Sequence, residues 1–181
     1  MKPHHLNNVL FSRDKIGQRV DELIDEIAAD CDTENLVLLG ILRGSFIFLA
    51  DLVRGFERHK LHPRIDFITL SSYGANTMSS GVVKIMHDTD ADLEGAEVVI
   101  VDDILDSGRT LKFARDLFLE RGADSVRTCV MLDKKTDRAV EMEADHVGFE
   151  VDDVFVVGYG LDYDNHYREL PYIAEVIFTE E

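Results

Sequence analysis

The sequence predicts an α/β fold: a mostly parallel open sheet flanked by helices. Two observations carry that prediction. Residues 36–42 (L-V-L-L-G-I-L) and 98–101 (V-V-I-V) are continuous apolar runs, whereas a strand with one wet face would alternate, so both read as strands buried on both faces. Each run then passes through a small polar turn into apolar residues at helical spacing. Arg43-Gly44-Ser45 leads into residues 46–56, and Asp106-Ser107-Gly108 leads into Leu111, Ala114, Leu117 and Phe118. Strand, turn and helix in repetition describe parallel strands joined by helical crossovers.

The remaining elements follow in order. His4 and His5 read as exposed tail residues. Residues 12–29 carry an apolar stripe at Ile16, Val20, Leu23, Ile24 and Ile27, which is a packing helix without chemistry. Residues 66–71 read as a strand, residues 72–81 as a mobile loop of small and polar residues, and residues 82–86 as the returning strand of a hairpin. Gly122 is placed to end the helix that follows residue 108. Residues 125–132 form the next strand, which ends in Asp133-Lys134-Lys135-Thr136. Residues 147–150 and 154–157 read as short strands, and Gly158 to Tyr163 turns the chain back. The sheet thus has strands near residues 36, 66, 98 and 125, and the C-terminal strands, with the N-terminal segment as a further candidate, are expected to form a small hood subdomain.

A length of 181 residues and 45% hydrophobic content suit one domain, 1–181, with its core at about 36–150. No run approaches a membrane span, and M-K-P-H-H-L-N-N lacks the apolar core of a signal peptide. A cytoplasmic protein without a membrane partner is expected. The formal charge of −17 argues against nucleic acid, which is gripped by Lys and Arg neutralising phosphates. Cys31 and Cys129 have neither metal-ligand spacing nor a disulfide-rich context and read as structural thiols.

The chemistry concentrates in V-V-I-V-D-D-I-L-D-S-G-R-T-L, residues 98–111. The strand is expected to end at the carboxylates Asp102 and Asp103. The turn after it meets a helix N-terminus, where amides without intrahelical partners and the positive end of the helix dipole favour an anion. Adjacent carboxylates at such a place can hold Mg²⁺ between protein and phosphate oxygens. Taken singly, an Asp or Ser before a helix is ordinarily a cap and Asp-Ser-Gly an ordinary turn. An acidic strand end also occurs in P-loop nucleotidases, but this chain has no Gly-Lys dipeptide. A response-regulator receiver gives no reason for the phosphate-cradling turn. Arg43-Gly44-Ser45 supplies a cation, a close backbone approach and a hydroxyl, the groups a pyrophosphate needs.

Residues 98–110 resemble the phosphoribosyl-pyrophosphate signature of the type I phosphoribosyltransferases. Residues 147–172, with F-V-V-G-Y-G-L-D-Y, resemble the C-terminal part of the hypoxanthine and hypoxanthine-guanine enzymes of that family, so the likeness covers roughly residues 36–172. It implies that Asp102 and Asp103 face the ribose hydroxyls and metal, while Asp106, Ser107, Gly108, Arg109 and Thr110 wrap the 5′-phosphate. Arg43, Gly44, Ser45 and Arg168 would hold pyrophosphate, with a cis peptide before Arg43. Phe155 would stack on a purine, the Val156 backbone would meet its edge, Ile104 would pack on it, and Lys134 would donate to its 6-oxo group. Asp162 would lie near the base and a second magnesium, and Ser72 and Tyr73 would enter a loop that closes over the reacting centre. Asp106 would be the catalytic general base. Many relatives have Glu-Asp where this chain has Asp102-Asp103, and Arg109 stands at a variable turn position.

The activity so implied is Mg²⁺-dependent transfer of a phosphoribosyl group from phosphoribosyl pyrophosphate to N9 of hypoxanthine or guanine. It would give IMP or GMP and pyrophosphate, in a homodimer or homotetramer. The alternative is a non-enzymatic regulator that senses phosphoribosyl pyrophosphate or nucleotides on the same fold.

Overall fold

The chain opens with β1 (His4–Phe11), α1 (Arg13–Asp30) and β2 (Leu36–Leu42), and continues through α2 (Phe46–Gly55), β3 (Arg64–Ser72) and β4 (Val83–His87). Next come β5 (Glu97–Leu105), α3 (Arg109–Glu120), β6 (Ser125–Lys134), β7 (His146–Val151), β8 (Val156–Val157) and β9 (Ile173–Phe178). The computed structural model describes residues 2–31, 34–72, 82–136 and 138–179, and the elements named are those of the described residues.

The main sheet runs β4-β3-β2-β5-β6-β7 and is parallel except for the antiparallel β3–β4 pair. The unbroken apolar runs have a direct explanation in this sheet. Leu38, Val99 and Val101 pack on one face against Leu23, Ile24 and Ile27 of α1 and Phe48 and Leu52 of α2. Val37, Leu39, Val98 and Ile100 point the other way, toward Leu111, Ala114 and Phe118 of α3. With a helix over each face, both sets of alternating side chains are removed from water. The stripe expected on α1 is buried throughout, and the Ser12 hydroxyl accepts from the Lys15 amide at the helix start.

Four expectations change. First, β5 does not stop at the acidic pair but continues through it to Leu105, because Ile104 and Leu105 remain in register with Leu132 and Asp133 of β6. Second, His4 and His5 are not tail residues. They begin β1, which pairs antiparallel with β9, and β9 pairs with β8 to make a small second sheet of order β1-β9-β8. Third, the strand expected at 154–157 is only Val156–Val157, since the Val154 amide donates to the Asp152 carbonyl (2.7 Å) and closes a tight turn before it. Fourth, the helix after the central motif is capped by Gly108, not by Asp106 or Ser107.

Gly122, at φ +88°, follows the last turn of α3 as expected. Both thiols are buried, and burial pushes Cys31 up to about 11 and Cys129 higher still. Among the described residues no helix is long and apolar enough to cross a membrane.

Candidate active site

The carboxyl ends of β2 and β5 open into a cleft of about 470 Å³, the place where ligands collect on an open parallel sheet. Its floor is the acidic pair. Asp102 is 8% exposed, and its Oδ1 accepts from the Asp103 amide (3.0 Å), while Asp103 Oδ1 accepts from the Ile104 amide (3.0 Å). Burial, and then the neighbouring Asp103 charge, raise the Asp102 carboxyl well above the ordinary range. Burial raises Asp103 as well, against the opposing pull of backbone amides and the Arg168 charge. Two hard oxygen donors that repel each other in a dry floor suit a divalent cation, which would relieve both costs. Among the described residues, no group of three or more His, Cys, Asp and Glu gathers into a closed metal cage. The pair Asp102 and Asp103 fits Mg²⁺, which takes one or two carboxylates and fills its shell with water and substrate oxygens.

Beyond Leu105 the wall is the turn Asp106-Ser107-Gly108 and the first turn of α3. Gly108 sits at φ +78°, a conformation that favours glycine, and forms no side-chain cap. Gly108, Thr110 and Leu111 line the cleft at the start of α3, and Asp106 is exposed at the rim. Arg109 begins α3 but is not among the residues lining the cleft.

Across the cleft, the Leu42-Arg43 peptide bond is cis. Gly44 lies so close to Asp103 that a Cβ there would collide with its carboxylate, and a Cβ on Gly160 would collide with the Gly44 carbonyl. Neither position admits a side chain. Ser45 departs from expectation: it is fully buried, and its hydroxyl donates back to the Ile41 carbonyl (2.6 Å). The hydroxyl thus braces the turn instead of facing a ligand. Asp162 and Arg168 close this side with an ion pair of 2.6 Å, and Arg168 also donates to the Gly160 carbonyl (2.6 Å). Asn165, which no motif in the sequence marks, donates its amide to Asp162 Oδ2 (2.7 Å) and accepts from Arg43 through Oδ1 (3.4 Å).

The residues expected to meet a purine lie beside this cleft and line it only in part. Ile104 and Asp162 line it, whereas Lys134, Phe155 and Val156 do not. Lys134 ends β6, one residue beyond the Asp133 that pairs with Leu105, so it stands at the same sheet edge. Its ammonium is 2.7 Å from Asp153, and Lys135 pairs instead with Glu150 (2.6 Å). Phe155 is 41% exposed and meets Tyr163 and Phe178 edge to face, at centroid distances of 5.5 and 5.4 Å. Val156 is buried in register with Glu175. Tyr73 lies outside the described residues, as does the rest of the expected loop, and Ser72 is described only as the last residue of β3.

The phosphoribosyl transferase domain model matches residues 10–164. A hypoxanthine-guanine phosphoribosyltransferase of Dictyostelium discoideum is 46% identical over 169 residues, covering 93% of this chain and 94% of its own. One from Aquifex aeolicus is 48% identical over 174 residues, covering 96% and 94%. Among solved structures, a hypoxanthine-guanine phosphoribosyltransferase of Bacillus anthracis superposes with a TM-score of 0.88 at 40% identity, over 96% of this chain and all of that one. A hypoxanthine phosphoribosyltransferase of Staphylococcus aureus gives 0.88 at 40% identity, over 95% and 92%. With a family model over most of its length and relatives matched nearly end to end, the chain belongs to the phosphoribosyltransferase family, in its hypoxanthine-guanine branch.

Proposed function

We propose that this protein is a purine salvage enzyme that transfers the 5-phosphoribosyl group from phosphoribosyl pyrophosphate to N9 of hypoxanthine, and also of guanine, releasing IMP or GMP and pyrophosphate. The observation that carries the reading is one cleft in which an acidic pair, an anion-ready helix start and Arg43 converge. The helix amides, with Ser107 and Thr110, take the 5′-phosphate. Arg43, Gly44 and Arg168 take the pyrophosphate, for which Arg168 exchanges its bond to Asp162. Asp102, Asp103 and Asp162 would hold Mg²⁺. When bound, the ion neutralises charge on the departing pyrophosphate.

As pyrophosphate leaves, positive charge grows at the anomeric carbon, and the carboxylate floor lies where that charge is stabilised. Purine N9 attacks while Asp106, exposed at the rim, accepts a proton from N7. Lys134 donates to O6, Phe155 stacks on the ring, and Ile104 packs beneath it. An ammonium has donors and no acceptor, so it satisfies O6 but opposes the 6-amino group of adenine. A loop entered by Ser72 and Tyr73 would exclude water from the reactive sugar. The single domain 1–181 would work in the cytoplasm as a homodimer or homotetramer. Phe46, Ile65, Phe67 and Met86, large apolar residues left exposed, are surface that a second copy would cover. The regulator alternative is not favoured, because the similar proteins bear the names of enzymes and a general base such as Asp106 would have no task in a sensor.

The test is direct. The protein, with Mg²⁺ and phosphoribosyl pyrophosphate, is given hypoxanthine, guanine, xanthine or adenine, and nucleotide is quantified. IMP and GMP are expected, with little AMP. No nucleotide from any base would favour the sensor.

A further inference from the structure

The two lysines at the end of β6 are sorted by their partners. Lys134 pairs with Val151 in the β6–β7 ladder, and the Lys135 amide donates to the Val151 carbonyl (2.8 Å), so the backbone fixes where each side chain departs. Lys135 leaves to the surface, 60% exposed, and takes Glu150. Asp133 is committed to Arg138. The Lys134 side chain is only 15% exposed, and its ammonium meets Asp153, which the tight turn after β7 presents from a position 64% exposed. A side chain that is mostly buried before any ligand arrives therefore has one specific carboxylate at its ammonium. A purine settling on Lys134 would strip its remaining water, and a buried ammonium without a compensating partner is costly.

We propose that Asp153 is a positioning residue for base recognition. Its carboxylate occupies one donor of the Lys134 ammonium, aims the others at the oxygen of a 6-oxopurine, and keeps the charge tolerable once the base has displaced water. The role of Lys134 at O6, proposed above, is the premise. Asp153 would not touch the base, so its effect should pass wholly through Lys134.

The experiment is a double-mutant cycle of Asp153→Asn and Lys134→Met, with steady-state kinetics on hypoxanthine and adenine and thermal melts of each variant. Asp153→Asn should lower kcat/KM for hypoxanthine about tenfold, chiefly through the KM for the base. The KM for phosphoribosyl pyrophosphate, the melting temperature and the trace of adenine activity should stay unchanged. Asp153→Glu should restore most of the loss. In the Lys134→Met background, Asp153→Asn should add nothing. Wild-type behaviour of Asp153→Asn beside an impaired Lys134→Met would overturn the role of Asp153 alone. So would a loss that persists without Lys134, or one that falls on the melting temperature or on phosphoribosyl pyrophosphate. An unimpaired Lys134→Met would overturn the premise, and the proposal with it.

Discussion

Asp106 is the residue on which chemistry and structure separate most cleanly. It stands at the exposed rim of the cleft, while the α3 cap is Gly108 two residues on. The helix therefore does not depend on its carboxylate. Asp106→Asn should leave the melting temperature unchanged and lower kcat about 10²- to 10⁴-fold, the usual contribution of a general base. Rates of IMP formation beside a thermal melt check it, and undiminished turnover would remove Asp106 from the chemistry. At this scale the sequence was informative wherever a residue type matched a required chemistry. Asp102, Asp103, Asp106, Arg43 and Asp162 do line one cleft. Ser45 misled because a hydroxyl after a glycine reads equally as a ligand or as a brace, and only its bond to the Ile41 carbonyl decides between them. Asn165 and Asp153 carry no mark in the sequence because each meets its partner only in the folded chain, Arg43 for one and Lys134 for the other.

Among the elements, the central strands were legible and the outer ones were not. β2 and β5 announce themselves by unbroken apolar runs because helices cover both faces of the sheet. β1 reads H-H-L-N-N-V-L-F, with breaks of register against β9, so no clean alternation marks it as a strand. The loop after β2 makes the sharpest demand on its residues, since Gly44 admits no Cβ beside Asp103. Gly44→Ala should displace either the loop or the carboxylate and depress kcat/KM for phosphoribosyl pyrophosphate about 10²-fold, the cost of roughly an ångström of misplacement. Gly17→Ala is the control. A Cβ there has nothing within 4 Å, and the exchange should leave kinetics intact while stabilising α1 by up to ~1 kcal/mol. Equal kinetics in the two variants would contradict the steric account.

At the scale of the whole molecule, acid stability is expected to depend in part on Asp66, which does not line the cleft. Its carboxylate accepts from the amides of Phe67, Asp90 and Ala91 and from the Thr89 hydroxyl, pinning the segment after β4 to β3. Burial pushes this carboxyl up, but the four bonds together outweigh it and hold its pKa below the ordinary value. A depressed folded pKa contributes stability above the unfolded value, ~3.9, and loses it as pH falls through the lower folded one. Asp66→Asn should therefore cost about 1–2 kcal/mol near pH 7. The gap to wild type should narrow below about pH 4, as read by urea unfolding at each pH. A gap constant across that range would contradict the linkage.

A protein of formal charge −17 that binds an anion has to do so, on the proposed function, through carboxylates and metal. The most direct measurement is calorimetric titration of phosphoribosyl pyrophosphate, in the presence of Mg²⁺, into wild type and into the double variant Asp102→Ala/Asp103→Ala. Charge alone predicts tighter binding by the variant, because removing two negative groups weakens the repulsion of an anionic ligand. The site proposed here demands the opposite sign: weaker binding by the variant, and for the wild type a loss of affinity when Mg²⁺ is withdrawn. Tighter binding by the variant, or wild-type binding indifferent to Mg²⁺, would contradict it.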